Sequence, residues 1–324
     1  MLTAAMGHAA DIQIIINPAS AAGRTGRKLQ VILRALEAAF PGGCNLCVTR
    51  DAGHATAMAA NAVSAGAGMI VAVGGDGTIN EVVNGMLSAS GGEIPATLLG
   101  IINCGSGGGF AMSLGLPAGL DAQVRLLTDR STRLVDVGLL SAPSGTSSPS
   151  TRYFVNECQI GIGADVVRRN SGALKPAGGF LGYGAATIAA LFRTPNAPLR
   201  VTVDGEKLDE GELLGLSIGN GHRTGGGMCL TPEADLADGM LDLLVIRGQS
   251  LFARLRSFPR IYRGTHPGSS EFRLQKFHAL EVDGPQTIGV AADGELIGGL
   301  PCAIAMVPRA LRVIAPPLFS GELP

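Results

Sequence analysis

The first hundred residues alternate short apolar runs with amphipathic ones. Asp11 to Asn17 (DIQIIIN) is an apolar run closed by Pro18, the length and flanks of a buried strand. From Gly26 to Phe40, Leu29, Ile32, Leu33, Leu36 and Phe40 recur at helical spacing and share one face. Cys44 to Thr49 is a second strand candidate and Gly53 to Ala65 an alanine-rich helix. Met69 to Val73 predicts a third strand, Thr78 to Leu87 a helix, Leu98 to Ile102 a fourth strand, and Gly108 to Leu114 the start of another helix. Strand, glycine loop and helix in repetition predict a Rossmann-like α/β domain, a parallel sheet with helices on both faces. In such a sheet ligands sit beyond the carboxyl ends of the strands, where these loops lie.

The pattern changes near Asp136. Strand-like runs then follow one another: Leu134 to Leu140, Tyr153 to Gly161, Leu199 to Val203, Leu213 to Gly219, Leu241 to Ile246, His278 to Val282 and Gly289 to Ala292. Successive strands without intervening helices predict an antiparallel, β-rich sandwich or barrel. The expected domains are 1–135 and 136–302. The apolar run Cys302 to Ile314 returns to one or the other, so 303–324 could complete the first domain. Ser141 to Ser150 (SAPSGTSSPS) reads as a polar hairpin tip, or else as a linker.

Composition narrows the class. At 324 residues, with 16% charged and 46% hydrophobic residues, the chain is globular and long enough for two cores. A net charge of −1 argues against a nucleic-acid partner. No apolar run reaches the roughly 18 residues of a spanning helix, and the start lacks the features of a signal peptide. Cys44 and Cys47 form a C-x-x-C, but no second pair stands at zinc-site spacing, and the six cysteines outline no disulfide framework. A reduced, cytoplasmic protein is expected.

Three loops at strand ends, two of them glycine-rich, carry the chemistry. Gly74-Gly75-Asp76-Gly77-Thr78 lies between a predicted strand and a predicted helix. Glycines there let backbone N–H groups approach a polyphosphate, and the helix N-terminus favours an anion. Asp76 suits a magnesium ion riding on the phosphates, or a substrate hydroxyl. A tight turn capped by Asp explains the same residues without a ligand. Asn17-Pro18-Ala19-Ser20 and Gly105-Ser106-Gly107-Gly108-Gly109 also follow strands, so all three loops converge on one sheet edge. No G-x-x-x-x-G-K-[ST] occurs, and no G-x-G-x-x-G opens the first helix, which disfavours P-loop NTPases and dinucleotide dehydrogenases.

In order and spacing, six segments resemble the diacylglycerol kinase catalytic-domain family, which includes bacterial soluble lipid kinases and the sphingosine and ceramide kinases. They are IINPAS (15–20), VAVGGDGTINEVVNG (71–85), LGIINCGSGGGFAMSLGLP (99–117), VNECQIGIGADVV (155–167), GNGHRTGGGMCLTPEADLADGMLDLLVI (219–246) and DGE (293–295). The resemblance implies a nucleotide domain, a β-rich domain, and ATP and substrate in a cleft between them. It implies that Asn17, Pro18, Ser20, Thr49, Gly74, Gly75, Asp76, Gly77, Thr78, Asn80, Gly105 and Ser106 border the nucleotide. It implies Glu295 as catalytic base, and a structural Mg2+ site at Asp235, Asp238 and the backbone of Met240. Two carboxylates three residues apart beside a glycine also suit a hard cation by themselves, or simply form a solvated acidic turn. One departure stands out. Gly108 and Gly109 replace the Asn-Asp, or Asn and small residue, that the family often carries, which bears on the substrate hydroxyl contact or on catalytic competence.

The expected reaction is ATP-dependent phosphorylation of a primary hydroxyl on a membrane lipid such as diacylglycerol, ceramide or a sphingoid base. Glu295, with Asp293, would take the proton, and Asp76 would bind magnesium or orient the hydroxyl. Asp293-Gly294-Glu295 is also the sequence of a type I′ hairpin turn. Phe180, Leu181, Tyr183, Ile188, Leu191 and Phe192 form an apolar helix-like stretch, suited to a lipid groove or to core packing. Leu251 to Arg263 interleaves Arg254, Arg256, Arg260 and Arg263 with apolar residues, as an anionic membrane surface or an ordinary amphipathic helix requires. Peripheral membrane association is therefore expected, and a homodimer is compatible with the chain. His222 and His266 would either line the cleft or be structural. Two rivals remain: a soluble-substrate kinase of the NAD kinase and phosphofructokinase superfamily, and a catalytically impaired lipid-binding homologue.

Overall fold

The computed structural model describes residues 11–105, 108–143, 150–171, 179–224 and 227–317, with backbone only for 171 and 179–181. The chain divides into two compact units. The N-terminal unit comprises Met1–Gly105, Leu114–Val135 and Ala310–Pro324; the C-terminal unit comprises Ser106–Ser113 and Asp136–Arg309.

The N-terminal unit runs β1 (Ile12–Ile16), α1 (Arg24–Arg27), α2 (Leu29–Ala39), β2 (Asn45–Val48), α3 (His54–Ser64), β3 (Met69–Gly74), α4 (Asp76–Ala89) and β4 (Leu98–Asn103). After α5 (Gly109–Ser113), which belongs to the other unit, it regains α6 (Leu120–Asp129). Its sheet is parallel, in the order β2-β1-β3-β4, with Ile14 opposite both Leu46 and Val71. Every residue of β3 is buried, as expected of a strand covered on both faces. Alternate residues Ile12, Ile14, Ile16, Met69, Val71 and Val73 pack with Ile32 and Leu36 of α2 and with Val124 and Leu127 of α6. Each such fully buried aliphatic side chain contributes roughly 1.5–3 kcal/mol.

The C-terminal unit contains β5 (Thr132–Ala142, begun in the other unit), β6 (Ser150–Phe154), β7 (Glu157–Gly161), α7 (Ile162–Ser171), α8 (Gly179–Arg193), β8 (Ala197–Val203), β9 (Glu206–Gly219), β10 (Leu241–Arg247) and α9 (Leu251–Arg263). It ends with β11 (Phe272–Phe277), β12 (Ala279–Asp283), β13 (Gly289–Ala292), β14 (Glu295–Gly299) and β15 (Cys302–Ile314). The path β14-β13-β7-β9-β8-β12-β15 is antiparallel at each step, as are β10 on β9, β11 on β10 and β6 on β5. Leu241, Leu243 and Val245 face the main core with Phe154, Ile160, Val201 and Ile218. Leu244 and Ile246 face a second cluster with Leu214, Met228, Leu230 and Phe272. Burial on both faces explains the apolar run from Leu243 to Ile246.

Several elements differ from expectation. The run Tyr153 to Gly161 is two strands, because the backbone turns at Val155 and Asn156 to meet a carboxylate described below. α7 was hidden between glycines, and β11 by its polar residues Arg273, Gln275 and Lys276. β15 serves both units: Ala303 to Ala305 pair with β12, while Val313 pairs in parallel with Leu99 of β4. The tip of the Ser141 to Ser150 segment lies outside the described residues.

Candidate active site

In the N-terminal unit three loops leave the carboxyl ends of β1, β3 and β4 and are tied together by backbone and side chains. Asn17 N–H donates to the Val73 carbonyl at 3.0 Å, and Cys104 N–H to the Gly74 carbonyl at 2.7 Å. Asn17 Nδ2 donates to Thr78 Oγ1 at 3.1 Å, while its own Oδ1 accepts from Ala19 N–H. Ser20 Oγ donates to the Asn17 carbonyl and lies 2.6 Å from Thr25 Oγ1. Glycine is required by close approach: a Cβ on Gly74 would sit 2.4 Å from Thr78 Oγ1, and one on Gly105 would sit 2.8 Å from the Gly75 Cα. The second and third loops thus touch backbone to backbone. Gly75 precedes α4 without a side-chain cap, which leaves the first turn, with Asp76, Gly77 and Thr78, as the anion-facing end of a helix. Pro18 accepts from Gly26 N–H, and the backbone of Thr49 continues the edge by donating to the Ile16 carbonyl. Asn80 is buried and accepts from Asn84, so it supports α4 from within. Ser106 lies outside the described residues.

In the C-terminal unit Asp293 and Gly294 form the two-residue turn between β13 and β14, with φ of 44° and 81°. Both are left-handed, the type I′ geometry that Asp-Gly favours. Asp293 is buried. Its Oδ2 accepts from Val155 N–H at 2.8 Å, and its Oδ1 accepts from Asn156 N–H at 3.0 Å and Glu157 N–H at 2.9 Å. Its own N–H donates to the Glu157 carbonyl. Asp293 therefore pins the break between β6 and β7. Glu295 follows at the start of β14, its side chain 42% exposed, with Oε2 2.9 Å from Arg152 Nη2. The two carboxylates of one turn thus differ: one is saturated by backbone, the other is accessible and steered by a cation.

The third loop rejoins this unit at Gly108, whose φ of 59° is one that Asn also tolerates. A Cβ on Gly109 would lie 2.8 Å from Asn156 Nδ2 and 2.9 Å from the Arg223 carbonyl, so a side chain there has no room. This crowding accounts for the absence of the acidic residue at Gly109.

The expected magnesium residues are engaged by the chain itself. Asp238 Oδ1 accepts from Met240 N–H, and Asp235 Oδ1 accepts from Ala237 N–H. Lys276 Nζ donates to Asp238 Oδ2 and Asp242 Oδ2, both at 2.8 Å, and to the Glu233 carbonyl at 3.3 Å. Among the described residues no group of three or more His, Cys, Asp or Glu converges as a metal site. Lys276 thus holds one carboxylate oxygen of Asp238, while Asp235 caps the backbone at Ala237. Burial raises the Asp242 carboxyl against the pull of Lys276. Desolvation acts to lower Lys276, but hydrogen bonds to Asp238 and Asp242 outweigh it and raise the ammonium.

Some buried groups were not legible in the sequence. Asp136 is wholly buried and accepts from Gly239 N–H at 2.7 Å and Arg309 N–H at 2.6 Å. Gln159 Nε2 donates to Glu157 Oε2 and Ser217 Oγ. Burial, then the Glu157 carboxylate and Tyr262, raise the nearby Tyr183 phenol. Arg254, expected on the surface, is buried. Its guanidinium donates to the carbonyls of Leu191, Thr194 and Gln249 and to Asn196 Oδ1. His266 is buried with Nε2 3.0 Å from the Leu230 carbonyl, and burial lowers its pKa. It packs on Phe272 as a core residue.

A parallel sheet with glycine loops at its carboxyl edge, joined in sequence to an antiparallel unit with an acidic hairpin turn, defines an α/β plus β-sandwich class with phosphate-loop chemistry. The family model described as Diacylglycerol kinase catalytic domain matches residues 11–140, and the YegS C-terminal NAD kinase beta sandwich-like domain matches residues 157–315. A protein named Diacylglycerol kinase from Mycobacterium tuberculosis (strain ATCC 25618 / H37Rv) is 31% identical over 267 residues, 82% of each chain. One named "Probable lipid kinase YegS" from Shigella flexneri is 32% identical over 279 residues, 83% of this chain and 85% of that one. The crystal structure of a diacylglycerol kinase from Bacillus anthracis str. Sterne shares the fold, with a TM-score of 0.71 at 23% identity, covering 95% of this chain and 97% of that one. Yeast NADH kinase complexed with NADH has a TM-score of 0.52 at 11% identity, over 94% and 82% of the two chains. This chain belongs to the diacylglycerol kinase and YegS family of lipid kinases. Membership of a kinase family carries ATP as the phosphoryl donor.

Proposed function

We propose that this protein transfers the γ-phosphoryl group of ATP to a primary hydroxyl of a membrane lipid: diacylglycerol, ceramide or a sphingoid base. The observation that carries this reading is an apolar cavity inside the C-terminal unit. Its volume is about 70 Å³, and Ile162, Val166, Leu191, Leu230, Phe258 and Ile261 contribute to its wall. On the same measure a single water needs about 10–15 Å³, so the space admits a stretch of acyl chain and offers a soluble, polar substrate little.

In this reading Asn17, Pro18, Ser20, Thr49, Gly74 to Thr78, Asn80, Gly105 and Ser106 form or support the nucleotide site. The N–H groups of the glycine loops and the start of α4 meet the phosphate charge. The magnesium that accompanies ATP is part of the substrate, and Asp76 holds it or orients the acceptor hydroxyl. As the acceptor oxygen bonds to the γ-phosphorus, the bond to the β–γ bridging oxygen breaks and ADP leaves. Glu295 accepts the hydroxyl proton. Arg152 keeps that carboxylate oriented, and Asp293 holds the turn that presents it. Positioning and charge stabilisation supply most of the rate.

The test is transfer of radiolabelled phosphate from ATP to diacylglycerol, ceramide and sphingosine in mixed micelles, with dissolved polyols and NAD in parallel. Label on a lipid is the expected result. Label only on a dissolved acceptor indicates the soluble-substrate kinase, and lipid retention without ATP consumption indicates an impaired homologue.

A further inference from the structure

Among the described residues no helix is long and apolar enough to cross a membrane. In the lipid-kinase reading the acceptor lies in a bilayer, and α8 and α9 carry the features of a surface that meets one. Both line the apolar cavity with their inner faces, through Tyr183, Thr187 and Leu191 on α8 and Ser257, Phe258 and Ile261 on α9. Their outer faces are apolar as well. Ile188 and Phe192 of α8 are each 55% exposed, one helical turn apart. On α9 Phe252 is 78% exposed, with Leu251 and Leu255 beside it at 42% and 44%. The buried guanidinium of Arg254 binds the Leu191 and Thr194 carbonyls, which seats the first turn of α9 against the last turn of α8. The two sets of exposed apolar side chains therefore flank one junction.

Charge identifies the partner. α8 and α9 together contain Arg193, Arg254, Arg256, Arg260 and Arg263 and no Asp or Glu. With Arg254 turned inward, the other four are exposed, and among the described residues no carboxylate forms a salt bridge with any of them. Large apolar tips amid guanidinium groups without a carboxylate partner among the described residues match the acyl–headgroup boundary of an anionic bilayer, although Arg260 also donates to Ser269 Oγ. An acidic protein groove would match the arginines but leave Phe252 and Phe192 without a hydrocarbon layer to enter.

We propose that the α8–α9 junction is the membrane-docking surface of this protein: Phe192, Phe252 and Leu255 insert into an anionic bilayer, and Arg193, Arg256, Arg260 and Arg263 bind its headgroups. This deepens the lipid-kinase reading, because docking sets the helices that wall the cavity against the source of the acyl chain.

Sedimentation with vesicles of phosphatidylglycerol and phosphatidylcholine, without ATP, tests it. The wild-type protein binds anionic vesicles and loses binding in high salt or with phosphatidylcholine alone. Phe252→Asp with Leu255→Asp, and separately Arg256→Glu with Arg260→Glu, each weaken binding by about tenfold or more. Circular dichroism and thermal melting confirm that the variants fold. These exposed positions lie outside the catalytic machinery, so activity on a dispersed short-chain diacylglycerol stays within about twofold, the expectation for surface changes. Unchanged vesicle binding in both folded variants overturns the proposal, as does equal binding to zwitterionic vesicles. Binding that behaves as expected in a protein that phosphorylates no lipid leaves the docking surface standing and removes the kinase reading instead.

Discussion

Two stretches of the C-terminal unit carry paired acids beside a glycine: Asp293-Gly294-Glu295, and Asp235 to Asp238 followed by Gly239. As strings of residues they are close relatives, and either could hold a cation or do acid–base work. The fold treats them differently. At the first, three backbone N–H groups converge on Asp293 and leave Glu295 half in solvent beside Arg152. At the second, Lys276 reaches from β11 to neutralise Asp238 and Asp242 together. The difference lies in what arrives from elsewhere in the chain: backbone N–H groups make a rigid platform, whereas an ammonium offsets the charge of Asp238 and Asp242.

The sharpest way to test this contrast is at Glu295. Glu295→Gln keeps the shape and removes the base, so kcat for lipid phosphorylation should fall by about 10²–10⁴ with KM for ATP little changed. Near-normal turnover would remove Glu295 as proton acceptor. Next is Asp293→Ala, which strands three buried N–H groups and should lower stability by roughly 3 kcal/mol in urea denaturation. A change of a few tenths would mean that the turn holds without it. The smallest effect is expected at Lys276. Lys276→Met leaves Asp242 buried without its cation and should cost about 1–2 kcal/mol. Without nucleotide, a wild-type melting temperature that falls in EDTA would place a cation at Asp235 and Asp238, and one that ignores EDTA would leave Asp238 to Lys276 alone. Because Lys276 is raised above its ordinary 10.5, its stabilisation is present throughout neutral pH and is lost as pH rises through that elevated value.

The α/β half was largely legible along the chain. Its strands are short apolar runs closed by Pro18, Gly74 and the glycines after Asn103, and parallel burial makes such runs unmistakable. The β-rich half was less so. α7 sits between glycines that blur its period, β11 carries polar residues along its length, and the run through Val155 breaks only because Asp293, 138 positions away, draws its N–H groups. Likewise α9 reads as a stripe of arginines, yet Arg254 turns inward to bind carbonyls while its neighbours stay in solvent.

What the sequence by itself determined is the local material: the glycine loops at strand ends, the order of motifs that marks the family, and the Asp-Gly turn. These depend on neighbours in the chain, whose φ preferences and hydrophobic period are intrinsic. Only the tertiary structure decided which acid is pinned, which is exposed and which is neutralised, and which face of α8 and α9 lines a cavity. Those outcomes rest on contacts between residues tens to more than a hundred positions apart, and the same side chain takes a different role according to which group meets it there.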